Sequence, residues 1–159
     1  MTADTIVMVI VREPVNGAYF DLIDSLKHHA SRFGLVVRPE NPLADSGKDA
    51  LEVLEPFLVD QSNVLEWPGT KTFGDPAIMV QYTIMHEALE ALCSLASRLY
   101  SWEQPALPED LFFRRDDGST IFGSVAHERH AFLNVYDWEL RDVLQRVPAL
   151  RLQRMRHNS

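Results

Sequence analysis

The sequence predicts a fold of the α/β class in which one mixed sheet carries packed helices, a mixed α+β arrangement. Three observations lead there. A β-branched run, Thr5 to Val11, is followed by a segment of helical spacing and a second β-type run at Leu35 to Arg38. Alternating Ile78, Val80, Tyr82 and Ile84 precede a long amphipathic stretch that starts at His86. Asp116-Asp117-Gly118-Ser119 then separates two further strand-like segments, and Asp-Gly tolerates the positive φ that a tight hairpin needs.

In chain order, Thr5 to Val11 reads as a strand buried on both faces. Pro14 and Asn16-Gly17 end it, with Asn16 as the N-cap of a helix through Phe20, Ile23, Leu26, Ala30 and Phe33, and Gly34 as its C′ residue. Leu35 to Arg38 closes a strand–helix–strand unit, and its crossover length predicts a parallel pair. Ser46 with Asp49 suggests a capping box for a helix over Ala50 to Leu54, which Pro56 ends; Phe57 to Asp60 is expected as a second short helical piece.

Asn63 to Trp67 predicts a short strand and Pro68 to Pro76 a loop. Ala88, Leu89, Leu92, Leu95, Ala96 and Leu99 form the apolar stripe of a helix over His86 to Ser101. Asp110 to Arg115, Thr120 to Ala126 and Ala131 to Val135 predict an antiparallel meander. Asp137 is the expected N-cap of a last helix, which Pro148 stops. Residues 1–150 are thus expected to form a single α/β domain, followed by a basic tail, frayed and solvated, over residues 151–159.

With 159 residues, 46% apolar and 24% charged, the chain has the make-up of a globular domain that folds without metal or disulfide. Its one cysteine, Cys93, and the lack of a secretory pattern or a membrane-length apolar run lead us to expect a cytoplasmic protein with no membrane partner. The net charge is −8, unevenly spread. From Glu40 to Asp110, thirteen acidic residues face three basic ones; after Trp138, five arginines face two acids. Such a body repels phosphates, which argues against nucleic acid and suits a basic protein partner.

Catalytic signatures are missing. Gly123-Ser124-Val125 lacks the second glycine of a nucleophile elbow, and the glycines form neither a dinucleotide fingerprint nor a phosphate loop, so no cofactor is expected. Two clusters have metal-ligating chemistry. His86 and Glu90 stand four apart on one helix face, and His127-Glu128-Arg129-His130 offers two imidazoles and a carboxylate. A metal-binding protein or metal-dependent enzyme would need His86 and Glu90 (or Glu87) to meet His127 and His130 (or Glu128) in space. Trp67 at a loop edge, and Tyr136 and Trp138 at the start of the last helix, are candidate binding residues together with His127, Glu128 and His130.

Two segments are recognisable together: Glu66-Trp-Pro-Gly-Thr70, and Leu107-Pro-Glu-Asp-Leu-Phe-Phe113 leading through Asp117-Gly118 to Gly123-Ser-Val-Ala-His-Glu128. They resemble a group of short uncharacterised bacterial proteins, over about a quarter of the chain. The resemblance implies a small stand-alone bacterial cytoplasmic protein and brings no activity or catalytic residues. In size, acidity and α/β make-up the chain is also similar to bacterial toxin-immunity proteins, in type rather than in motif. The expected function is therefore a small acidic binding protein, of immunity or inhibitor type. The alternatives are metal binding and self-association through a sheet edge to give a homo-oligomer.

Overall fold

A computed structural model describes residues 4–155. The elements run β1 (Ile6–Ile10), α1 (Gly17–Leu26), β2 (Arg32–Val37), α2 (Asp45–Leu54), β3 (Leu58–Val64), β4 (Glu66–Trp67), β5 (Thr70–Lys71), β6 (Ala77–Thr83), α3 (His86–Leu95), β7 (Glu109–Arg114), β8 (Thr120–Val125), β9 (His130–Val135), α4 (Asp137–Arg146) and β10 (Leu152–Arg154). Eight strands form one sheet in the order β10-β1-β9-β8-β7-β2-β6-β3, and β4 and β5 form a separate hairpin. The fold is mixed α+β. Among the described residues, no helix is long and apolar enough to cross a membrane.

Every neighbouring pair in the sheet is antiparallel. The expected parallel β1–β2 pair is corrected accordingly. The two strands do run in the same direction, but β9, β8 and β7 lie between them. Crossover length fixes direction and reach, not adjacency, and the meander β7–β8–β9 fills the gap through local antiparallel pairing.

The alternation of side chains sorts the core into two parts. In register across the sheet, Tyr82, Phe33, Phe113, Phe122, Leu133 and Met8 stand on one face. The buried residues of all four helices pack on that face, among them Leu22, Leu26, Leu54, Leu92 and Val143. Each large apolar side chain buried here contributes about 1.5–3 kcal/mol. A smaller cluster of Val36, Trp67, Ala77, Met79 and Phe112 forms on the other face.

Several boundaries differ from expectation for identifiable reasons. α1 ends at Leu26, and Gly34 lies inside β2 instead of capping the helix. The Phe112 ring lies directly on Gly34; a Cβ there would stand 2.1 Å from the ring's Cζ. Asn16 sits at φ 51° and its side chain makes no cap bond. Ser46 donates to Ala106 O at 2.7 Å, tying α2 to a distant loop, so Ala44 takes the cap position. A 3₁₀ turn, Glu55–Phe57, leads straight into β3, which replaces the expected second helical piece.

α3 stops at Leu95 because the next residues bond to the β1–α1 loop. Asn16 N–H donates to Ser97 O at 2.6 Å and Leu99 N–H to Pro14 O at 3.2 Å. Tyr136, not Asp137, precedes α4, and its N–H donates to the Glu139 carboxylate at 2.9 Å. The basic tail does not fray where it is described. Leu152–Arg154 pairs with β1 as an edge strand, whose missing neighbour its backbone supplies. Arg156 and the residues after it lie outside the described residues.

Candidate functional site

The sequence at the start of β7 places two carboxylates side by side, and in a regular strand they would point to opposite faces. Asp110 instead has φ 62°, a left-handed conformation rare for a residue with a side chain. Both residues are buried, Glu109 at 5% and Asp110 at 1% exposure. Donor atoms of Glu109, Asp110 and His127 all lie within 4.8 Å of one another, and this trio is the one such group among the described residues.

The two carboxylates are held by named contacts. Asp110 Oδ2 accepts the Trp67 indole N–H at 2.9 Å, and Oδ1 accepts the Ala126 backbone N–H at 3.0 Å. Glu109 Oε1 accepts the Gln104 N–H at 3.3 Å. Arg38 Nε lies 2.9 Å from Glu109 Oε2, an ion pair, but off the hydrogen-bond axis, so that buried oxygen has no hydrogen-bond donor. The Arg38 guanidinium also covers the Trp67 ring at 5.0 Å. Gln104 fixes this end of β2, accepting the Arg38 N–H at 2.6 Å and donating to the carbonyls of Arg38 and Asn41.

Burial pushes the pKa of both carboxylates up. For Glu109 the charge of Asp110 adds to the rise, and Arg38 opposes it. For Asp110 the Trp67 and Ala126 donors oppose it. Chemically, such a trio can hold a proton or a cation, with His127 at its solvent edge.

The residues singled out in the sequence are placed as follows. Trp67 is buried and serves as the donor to Asp110. His127 is half exposed, with Glu128 at 3.8 Å, and His130 lies beside the Phe132 ring outside the trio. His86 and Glu90 pair with each other at 2.9 Å on an exposed turn of α3. The structure gathers His127 with Glu109 and Asp110, not with His86 and Glu90. Tyr136 and Trp138 stack with an interplanar angle of 2°, and Trp138 also meets the His29 ring edge-on.

Sequence reading missed Glu109, Asp110, Arg38 and Gln104. Two adjacent acids ahead of Leu111-Phe-Phe were the available signal, but alternation hid their convergence.

A second feature is a groove of about 550 Å³ between α1 and α3. Phe20, Ile23, Ile84, Met85 and Leu89 give it apolar walls, and Asp21, Asp24 and Glu90 line it with acid. Lys27 pairs with Asp24 at 2.6 Å. Cys93 also lines it; burial pushes its pKa up, so it stays a thiol.

Comparison with protein-family models, with curated proteins and with solved structures gave no match for this chain.

Proposed function

We propose that the protein is a binding protein, of immunity or inhibitor type, that takes a basic, partly apolar segment of another protein into the α1–α3 groove. The observation that carries this reading is the groove's composition: apolar walls with three acidic side chains, one lysine paired with Asp24, and His86 paired with Glu90. Phe20 and Met85 stay 37% and 44% exposed there, large apolar surface that the fold itself leaves uncovered. A segment with apolar anchors and flanking Lys or Arg complements both features. The acidic excess between Glu40 and Asp110 would also speed its capture.

The test is affinity capture from bacterial extract with the wild type and with Phe20→Asp/Met85→Asp side by side, at low and raised salt. The rim positions are exposed, so the variant is expected to fold. Retention of a basic protein by the wild type, lost in the variant and weakened by salt, supports the reading. Capture that ignores the variant, or that yields no basic protein, removes the groove as the binding site.

A further inference from the structure

We propose that Glu109, Asp110 and His127 form a binding site for a divalent transition-metal cation. It lies apart from the groove and uses a donor set that no single sequence motif contains.

Geometry comes first. Donors placed tetrahedrally around one ion, each at about 2.0–2.2 Å, stand roughly 3.3–3.6 Å apart. The three donors already lie within 4.8 Å of one another, so a closure of at most about 1.5 Å, within the reach of side-chain rotation, lets all three share one ion. Glu109 Oε2 is buried and receives no aligned hydrogen bond, its contact with Arg38 Nε at 2.9 Å being an off-axis ion pair, so the carboxylate keeps unused acceptor capacity. A buried acceptor left so is costly, and a cation satisfies it.

Charge points the same way. Two buried carboxylates face one guanidinium, Arg38, so the acids outnumber the fixed cation beside them. Burial makes such a surplus expensive, and either a proton or a cation removes it.

The surroundings suit a ligand set. The Trp67 indole and the Ala126 N–H clamp the two oxygens of Asp110, which fixes the carboxylate in the way outer hydrogen bonds orient metal ligands. His127 sits on a short 3₁₀ turn, Ala126–Glu128, and is half exposed, which opens the trio to solvent. Two carboxylate oxygens and an imidazole nitrogen favour zinc or manganese over calcium, which prefers oxygen alone.

The experiment is calorimetric titration of the tag-free full-length protein with Zn²⁺ and with Mn²⁺, alongside melting curves with each metal. The wild type is compared with His127→Ala, Glu109→Gln and His86→Ala; Asp110 is kept because it anchors Trp67. Circular dichroism serves to check that each variant is folded. Loss of an outer hydrogen bond already weakens metal sites about 10–100-fold, so removal of a ligand is expected to cost at least roughly tenfold in affinity. One ion per chain, a rise in Tm with metal, weakening by H127A and E109Q and none by H86A is the expected result. Binding unchanged in H127A and E109Q, binding lost in H86A instead, or no heat and no Tm change at millimolar metal overturns the proposal.

Discussion

The ion pair between Arg115 and Glu139 gives the sharpest quantitative expectation. Arg115 follows β7 in the hairpin turn and Glu139 stands in the first turn of α4, both buried. Arg115 Nε donates to Glu139 Oε2 at 3.0 Å and Nη2 donates to Oε1 at 2.5 Å. The same guanidinium donates to Asn134 O at 2.7 Å and lies 5.0 Å over the Tyr136 ring. Replacing either partner leaves an uncompensated buried charge, which costs about 3–5 kcal/mol. At roughly 2–4 °C per kcal/mol for a chain of this size, Tm falls by about 6–20 °C in Glu139→Gln or Arg115→Met. The double variant Arg115→Met/Glu139→Leu removes both charges. It keeps a deficit of about 1 kcal/mol from the lost bond to the Tyr136 N–H. The double variant is therefore expected to cost about 5–9 kcal/mol less than the two single variants added together. Urea and thermal denaturation followed by circular dichroism measure all three. Single variants that cost under ~1 kcal/mol, or that add, would mean the pair behaves as a screened surface contact, and the reasoning fails.

Three further outcomes are expected. Gly34→Ala forces its Cβ against the Phe112 ring and is expected to cost about 1–3 kcal/mol or more; adding Phe112→Leu should recover part of it, and no recovery would place the strain elsewhere. Trp67→Phe leaves Asp110 Oδ2 without its donor, a loss of about 1–3 kcal/mol in denaturant melts, with an unchanged midpoint as the contrary result. The hydrogen bond from His29 lowers the Asp142 pKa, and Arg146 lowers it further. A depressed folded-state pKa gives stability that is present above the unfolded value, about 3.9, and lost as pH falls through the folded value. The Tm gap between wild type and Asp142→Asn should thus be full above about pH 5 and close in stronger acid. A gap that stays constant down to pH 2.5 would mean packing, not charge, sets it.

Local patterns were legible where local chemistry decides the structure. Asp117-Gly118 makes the β7–β8 turn with Gly118 at φ 87°, and the alternation through Ile78 and Val80 appears as β6. The apolar stripe after His86 is α3, though shorter than its pattern because the β1–α1 loop takes its last turn's partners. Illegible were the features that arise between distant segments. Gly34 reads as a helix terminator until Phe112 is placed on it, and Leu152–Arg154 reads as tail until β1 offers an edge. The carboxylate trio was hidden for the same reason, since it needs the left-handed turn at Asp110 and a histidine from beyond β8.

The two segments that are recognisable in the sequence also meet in space, and glycine explains how. A Cβ on Gly69 would stand 2.8 Å from Val125 Cγ2; one on Gly123 would stand 2.5 Å from Phe132 Cζ and 3.2 Å from Pro68 Cβ. Bare backbone at both positions lets the β4–β5 hairpin lie down on β8 and β9, and the positive φ of 85° at Gly69 makes its turn. That contact delivers the Trp67 indole to Asp110. The hairpin thus acts as a clamp on the carboxylate trio, from the face that carries the small cluster of Val36, Met79 and Phe112. The groove is built from α1 and α3, which pack on the other face. Substitutions in the hairpin should therefore change the trio and leave the groove intact, and substitutions at Phe20 and Met85 should do the reverse. The proposed capture of a partner and the proposed occupancy of the buried acids are thus expected to be lost separately, each without the other.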